Sequence, residues 1–366
     1  MKKDIYYLKY LVGFIRLLLD LDPKIFDQSL NESITSIERT IFEGGNNDMD
    51  KIDLIEQMCD LLSNQYQRKK SYEEIYVAFN DLKKTSDPYN FGIESGWINS
   101  FLYFHPGNVN DYPYHFKFGI GHHKGKGDIE EHIILRDGFN MIAKVEQLSN
   151  ILIESEKYFK NKKNEIEPKT IYEHITTIKI EICLYSRLSI ITFFSFIEAF
   201  VNSIGYSFLK MKEPELNSNE INILLGKNDK NGYLTLKTKM EKFQKLIRAD
   251  RKAIINLTDQ KQIRSPFKDF FLKYEEIRNS SVHYSPIEEK IWMAPQEWSE
   301  IALNFSKISV DVGLLFWKAC FPNSNGPRYL GELNYELLKK NAVTNFNNLN
   351  QIVNGIKGLE NEQTSA

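Results

Sequence analysis

Residues 182–209 read ICLYSRLSIITFFSFIEAFVNSIGYSFL, and this stretch decides the fold. Its apolar residues fall on nearly every side of a helix, which is typical of a helix that is buried on most faces. Ser195, Glu198 and Asn202, at positions i, i+3 and i+7, form a polar stripe within it. Because these polar residues interrupt the apolar run, we expect a buried core helix and not a membrane span. The stretch therefore predicts a mainly α-helical fold.

Helical periodicity extends over most of the chain on both sides of this stretch. We predict helices over residues 5–19, 24–42, 51–67, 72–84, 140–160, 171–210, 234–248, 265–284, 295–320 and 335–356, with a polar connection over 215–232. A change of character near residue 137 divides the chain. We expect an N-terminal helical region over 1–137 that senses a trigger or regulates, an all-α domain over 138–357, and a disordered polar tail over 358–366.

A small β-insert is predicted within the N-terminal region, from about residue 92 to 136. Glycines, aromatic residues and alternating patterns there indicate three short strands, over 95–104, 115–120 and 130–135. Five histidines lie in or beside these strands: His105, His115, His122, His123 and His132. Their spacing matches no standard ligand pattern, so we predict no metal and no cofactor. A metal-dependent hydrolase built on these histidines is a third alternative, after the two given below.

Composition bounds the partners and the compartment. The chain has 366 residues and a formal net charge of −2, so a polyanion would have to be bound by a local basic patch. The three cysteines, Cys59, Cys183 and Cys320, are far apart and odd in number, which argues against a disulfide framework and fits a reducing cytoplasm. The N-terminal residues contain no clean signal-peptide core. We therefore expect a cytoplasmic protein.

The candidate chemistry lies in residues 274–284, YEEIRNSSVHY. Arg278 is a permanent cation that can hold a phosphate through two hydrogen bonds, and His283 can transfer a proton near neutral pH. Ser265 can cap this helix with Pro266 in its first turn, and Pro286 stops it. At about 100° per residue, Arg278 and His283 point roughly 140° apart on an ideal helix. For both to meet one phosphate, the helix must fray or change pitch between them, or the partner group must come from another chain.

The carboxylate of Glu198 needs a partner if it is buried, because an unpaired buried charge is costly. In one interpretation, Glu198 belongs to a structural network with any nearby Lys or Arg. In the other, Glu198 orients Arg278. The sequence leaves both open.

A basic stretch precedes the motif, and Lys242, Lys245 and Arg248 are its candidate contacts to an RNA backbone. A solvated helix face is the alternative. Tyr284, with Tyr274 and Trp292, could stack on unpaired bases, although aromatic residues are more often part of a core.

The segment around Arg278, Asn279 and His283 resembles the Arg-(polar)-x(3–5)-His signature of HEPN domains. The segment from Ser195 to Asn202 is similar to the acidic helix that precedes that signature in the superfamily. The resemblance covers roughly residues 140–320. It implies a bundle of four to five helices that dimerises, with Arg278 and His283 catalytic, Asn279 beside the arginine, and Glu198 and Asn202 in support.

The resemblance also implies a function. Members of the superfamily are often metal-independent endoribonucleases in toxin–antitoxin, abortive-infection or CRISPR-associated defence. We therefore expect RNA as the partner, a homodimer, and an antitoxin or phage-derived trigger. Some members bind without cleaving, so a non-catalytic helical interaction protein in a defence complex is the alternative.

Overall fold

The computed structural model describes residues 69–70, 72–85, 93–94, 97, 100, 117–120, 127–162, 166–228, 232–259, 261–282, 293–323, 327 and 330. The predicted helices over 5–19, 24–42, 51–67 and 335–356, and the tail over 358–366, lie outside these residues. Within them the protein is mainly α-helical, as the sequence predicts.

The described elements follow one another along the chain. They are α1 (Tyr72–Thr85), β1 (Ile93–Glu94), β2 (Lys117–Ile120), β3 (Gly127–Ile129), α2 (Glu130–Asn161), α3 (Pro168–Lys212), a 3₁₀ turn (Glu213–Glu215), α4 (Ser218–Leu224), α5 (Leu236–Ile247), a π-helical segment (Asp269–Tyr274), α6 (Glu275–Val282) and α7 (Pro295–Cys320). Helix α7 matches its prediction at both ends, and α1, α3 and α5 match theirs within a few residues.

The three strands form one antiparallel sheet in the order β1-β2-β3. Ile93 pairs with Phe118, and Phe118 pairs with Ile129. The strand predicted over 115–120 agrees with β2. The strand predicted over 130–135 is wrong, because α2 begins at Glu130.

Two features explain why residues 130–135 are helical. Glu130 and Glu131 stand in the first turn of α2, where carboxylates favour the positive end of the helix dipole. Glu131 is buried and accepts a hydrogen bond from the Ser203 hydroxyl at 3.1 Å. A segment of six residues is too short for its periodicity to distinguish a strand from a helix, so tertiary contacts decided the outcome.

The chain divides into two compact units. The first comprises the described residues within Met1–His132, Ala199–Asn256 and Phe316–Gly331, and the second comprises those within Ile133–Glu198 and Leu257–Leu315. The boundary that we predicted at residue 137 does not coincide with this division, since α2 runs through it without a break.

Each unit has its own apolar core. In the second unit, α2 and α3 pack through a cluster of five buried apolar side chains: Val145, Leu148, Leu152, Ile178 and Ile182. Near it, Gly138 allows close approach, because a Cβ at that position would lie 2.9 Å from the Phe193 ring. In the first unit, Gly205 plays the same role against Phe243, where an added Cβ would lie 2.3 Å from the ring.

Helix α3 carries the stretch from which the fold was predicted. Among the described helices, its segment Pro168–Lys210 is long and apolar enough to cross a membrane, and 44% of its most apolar part is buried within the protein. A single such helix is weak evidence for a membrane span, because the core helix of a globular fold passes the same test.

Candidate active site

The helix that carries Arg278 changes pitch just before it. Asp269–Tyr274 is π-helical, and α6 continues from Glu275 with ordinary α geometry. This change of pitch precedes Arg278, so it is not the change between Arg278 and His283 that would bring both side chains to one phosphate, and that expectation stays a prediction. Such π-helical turns are rare in proteins, and many of those that do occur lie at functional sites.

The π-helical segment brings side chains eight residues apart onto one side of the helix. In an α-helix, positions i and i+4 differ by about 40°. A π-helix turns less per residue, so this drift is reduced between Phe270 and Tyr274, and Arg278 follows one α-helical turn later. The long Arg278 side chain reaches back towards the helix N-terminus, as helical side chains do. Both Phe270 and Arg278 can therefore contact the same ring on α3.

That ring is Phe194, and it belongs to what we call the aromatic stack: Phe194, Phe270, Tyr274 and Phe305. Phe270 is stacked between Phe194 and Phe305, with ring centroids 5.1 Å and 5.3 Å away. The ring of Tyr274 lies 4.8 Å from that of Phe305. These four side chains are buried. Each aromatic pair contributes about 0.5–1.5 kcal/mol of stability in addition to the contribution from buried apolar area. The aromatic stack therefore holds the Phe194 ring firmly in place.

Tyr274 is a core residue and not a surface for stacking RNA bases. It is only 2% exposed. Burial raises the pKa of its hydroxyl, and the nearby Asp269 carboxylate adds to this effect. Of the two explanations for this tyrosine, packing in the core is therefore the correct one.

Arg278 is fixed by two contacts. Its guanidinium carbon lies 4.6 Å from the centroid of the Phe194 ring, within the range of a cation–π interaction. Its Nη1 donates a hydrogen bond to Oδ1 of Asn279 at 2.8 Å. Arg278 is half-buried, and Asn279 is exposed. Among the described residues no carboxylate forms an ion pair with Arg278. Within the described part of the chain, the guanidinium thus presents a positive charge that is positioned and has no carboxylate partner.

The interaction that we considered between Glu198 and Arg278 is not formed among the described contacts. Glu198 is half-buried, one helical turn beyond Phe194. Ser195 and Asn202, its neighbours in the polar stripe, are exposed, so the stripe faces solvent and does not require a buried network. Oδ1 of Asn202 accepts a hydrogen bond from Nζ of Lys239 at 2.9 Å. In the described structure, Asn202 therefore supports a lysine.

The other predicted catalytic and RNA-stacking residues of this helix, His283 and Tyr284, lie outside the described residues, as does Trp292. Helix α6 is described as far as Val282. The predicted cap also differs, because Ser265 donates its hydroxyl to Oδ2 of Asp269 at 2.7 Å.

The basic residues chosen as RNA contacts have different surroundings. Lys242 is half-buried, and Lys245 is exposed, with its ammonium 3.4 Å from Oε1 of Glu241. Arg248 donates three hydrogen bonds, of which those from Nε and Nη2 go to the Asp250 carboxylate at 2.8 Å and 2.6 Å. Its Nη1 donates to the Ala319 carbonyl at 2.8 Å. Arg248 is therefore a structural residue in this conformation.

The sequence reading missed Phe194 as the platform for Arg278. The signal was present, since Phe194 and Glu198 are four residues apart and share a helix face. It also missed a second cation–π contact, in which the guanidinium of Arg187 lies 5.6 Å from the ring of buried Trp298.

A metal centre has no support in the part of the chain that the structure describes, which contains no group of three His, Cys, Asp or Glu side chains arranged to hold an ion. His132 is half-buried, and the other four histidines of the predicted insert lie outside the described residues.

Comparison of the chain with protein-family models, with curated proteins and with solved structures finds no match.

Proposed function

We propose that this protein is a metal-independent endoribonuclease of the HEPN type. One observation carries the proposal: the half-buried guanidinium of Arg278 is held against Phe194 and Asn279 with no carboxylate partner among the described residues. A fixed and uncompensated cation of this kind suits an anion, and the planar guanidinium matches a phosphate geometrically. His283 follows five residues later in the sequence and can transfer a proton at neutral pH.

The proposed reaction is a transesterification within RNA. One imidazole takes the proton of the 2′-hydroxyl, and the 2′-oxygen attacks phosphorus as the bond from phosphorus to the 5′-oxygen breaks. A protonated imidazole gives its proton to the departing 5′-oxygen. The guanidinium of Arg278 stabilises the charge on the phosphoryl oxygens. The products are a 2′,3′-cyclic phosphate and a 5′-hydroxyl, and neither proton transfer calls for a metal.

This reaction needs both an acid and a base, and each chain supplies one His283. A homodimer with its two-fold axis beside the motif helices would supply two imidazoles and two guanidiniums to one cleft. The large angle between Arg278 and His283 on an ideal helix favours the same arrangement. In this proposal Asn279 holds Nη1 of Arg278, and Glu198 remains available to position the arginine or the substrate.

In the wider proposal the protein is a cytoplasmic toxin or abortive-infection effector that acts against phage. Residues 1–137 would respond to a trigger or antitoxin. Lys242 and Lys245 would contribute to binding the RNA backbone.

The proposal is tested with the purified full-length chain and a single-stranded RNA in buffer with EDTA. We expect cleavage that leaves a 2′,3′-cyclic phosphate and that stops when the 2′-hydroxyl at the cut site is replaced by hydrogen. His283→Ala and Arg278→Ala should each lower the rate at least a hundredfold. Arg264→Ala, at an exposed arginine in the same unit, is the matched control and should cut like the parent.

A parallel experiment compares bacterial growth and RNA integrity on expression of the parent and of His283→Ala. Growth arrest confined to the parent supports the nuclease. Equal cleavage by parent, His283→Ala and Arg278→Ala would eliminate the proposed mechanism. Capture of a defined defence protein by a parent that leaves RNA intact would favour the non-catalytic alternative.

A further inference from the structure

The first unit contains a cavity of about 670 Å³ that is separate from the surroundings of Arg278. Ligand pockets usually measure about 300–1,000 Å³, so this volume suits a small organic molecule. The cavity is bordered by the end of α3, the 3₁₀ turn, the segment after α5 and the end of α7. Its apolar lining includes Phe208, Leu216, Leu246, Ile247 and Phe321. Its charged lining consists of Lys212, Glu215, Arg248, Asp250 and Arg251.

Four of the five charged residues form two ion pairs. Arg248 and Asp250 are joined by two hydrogen bonds, which hold the pKa of the Asp250 carboxyl at about 2 and keep it ionised at neutral pH. The ammonium of Lys212 lies 2.8 Å from a carboxylate oxygen of Glu215. Both ion pairs lie in the lining of the cavity, and within each pair the two charges largely cancel.

Arg251, the fifth charged residue, forms an ion pair with Glu220, which lies outside the lining. Its backbone has a φ of 53°, the left-handed region that a residue with a long side chain rarely adopts. Its Nη1 donates to Oε1 of Glu220 at 3.1 Å, and the other oxygen of Glu220 accepts the backbone N–H of Asn217 in a helix cap. Among the described residues this is its one side-chain hydrogen bond, so most of its five N–H donors are available. Backbone strain that persists in a cavity wall is a pointer to function.

The residues that line the cavity carry three cationic side chains, Lys212, Arg248 and Arg251, and two carboxylates, Glu215 and Asp250. The carboxylate of Glu220, which is ion-paired with Arg251, balances the remaining charge, so an anion would be bound by the N–H donors of Arg251 that Glu220 does not use. The apolar walls would bury an aromatic or aliphatic body, while the guanidinium would bind a planar or tetrahedral anion.

We propose that this cavity binds a small organic anion, with a phosphate or carboxylate group held by Arg251 and an apolar or aromatic body packed against Phe208, Leu216 and Phe321. The site belongs to the first unit and does not depend on RNA cleavage. It provides the protein with a ligand-binding function that is additional to the proposed nuclease.

The test uses the full-length chain and isothermal titration calorimetry with three probes. These are 1-naphthyl phosphate, which has both features of the proposed ligand, 1-naphthol, which lacks the anion, and inorganic phosphate, which lacks the apolar body. We expect 1-naphthyl phosphate to bind at least tenfold more tightly than either of the other two probes.

Three variants locate the binding. Arg251→Asn removes the cation but keeps a residue that tolerates the left-handed backbone, so it should fold normally and bind about tenfold more weakly. Lys252→Asn makes the same change one residue away, at an exposed lysine outside the lining, and should bind like the parent. Ala249→Trp places an indole in the cavity and should abolish binding.

Three results of these titrations would overturn the proposed binding site. Absence of 1-naphthyl phosphate binding to the parent at millimolar concentration overturns the proposal. Binding that is unchanged in Arg251→Asn or in Ala249→Trp overturns it as well, because the ligand then lies elsewhere. An equal loss in Arg251→Asn and Lys252→Asn would indicate general charge attraction, and would also refute a built site.

Discussion

The contact between Arg278 and Phe194 predicts a measurable coupling between the two side chains. We consider a double-mutant cycle of Phe194→Leu and Arg278→Gln in the full-length chain. Cation–π interactions contribute about 0.5–1 kcal/mol when exposed and about 2 kcal/mol when desolvated. Arg278 is half-buried and Phe194 is 5% exposed, so we expect a coupling of about 1 kcal/mol in the free energy of unfolding.

The matched control is the cycle of Phe305→Leu with Arg278→Gln. Phe305 stacks on Phe270 as Phe194 does, and it also contacts Tyr274, but no contact between Phe305 and Arg278 is described. Phe305→Leu should therefore cost as much stability as Phe194→Leu or more, since it loses two ring pairs worth about 1–3 kcal/mol together. Its coupling to Arg278→Gln should fall within the 0.3–0.5 kcal/mol expected of independent sites.

The measurement is urea-induced unfolding followed by circular dichroism for all members of both cycles. If RNA is cleaved as proposed, the same 1 kcal/mol of positioning predicts that Phe194→Leu lowers the single-turnover rate about fivefold, and Phe305→Leu much less. Equal coupling in the two cycles, or none with Phe194, would refute the reasoning that this ring holds the guanidinium.

Two further predictions concern the first unit. Gln244 is fully buried, its amide donates to the carbonyls of Met240 and Ile255, and its oxygen accepts the N–H groups of Ile254 and Ile255. Gln244→Met should therefore destabilise the protein by about 1–3 kcal/mol in urea unfolding, since backbone donors lose their acceptor, and a loss below 0.5 kcal/mol would contradict this. The Asp250 carboxyl has a folded-state pKa of about 2, below its ordinary value of 3.8, so its stabilising contribution is present above pH 3.8 and is lost as the pH falls towards 2. The stability difference between the parent and Asp250→Asn should shrink over that window, and a difference that is constant from pH 5 to pH 2 would contradict the assignment.

Local patterns predicted several elements well because their signals were long and unambiguous. Helix α7 spans 26 residues with a regular apolar face, and its ends at Pro295 and Cys320 agree with the prediction. Helix α3 was predicted over 171–210 and extends over Pro168–Lys212. Where the signal was short, as in residues 130–135, the contact of Glu131 with Ser203 outweighed local preference.

The site was predictable only in part. The sequence singled out Arg278 and Asn279 as neighbouring residues of the motif, and the structure adds the hydrogen bond between their side chains. The π-helical segment Asp269–Tyr274 was not predicted, because six residues are too few for their periodicity to distinguish a π-helix from an α-helix. Arg248 donates a hydrogen bond to the carbonyl of Ala319, which lies 71 positions later in the chain. Local sequence patterns do not predict a contact over such a separation.

The sequence alone predicted a mainly helical protein, and the described residues agree with this. It also predicted a buried apolar helix over residues 182–209, and it placed Arg278 in a helical segment with His283 five residues later. These properties depend on spacing along the chain, and a helix converts spacing directly into faces. Only the tertiary structure decided that Phe194, and not Glu198, contacts the guanidinium, and that Arg248 supports a cavity wall beside Arg251. The reason is physical: which side chain a charge meets depends on how separate helices pack, and packing is set by the shapes of all the contacting residues together.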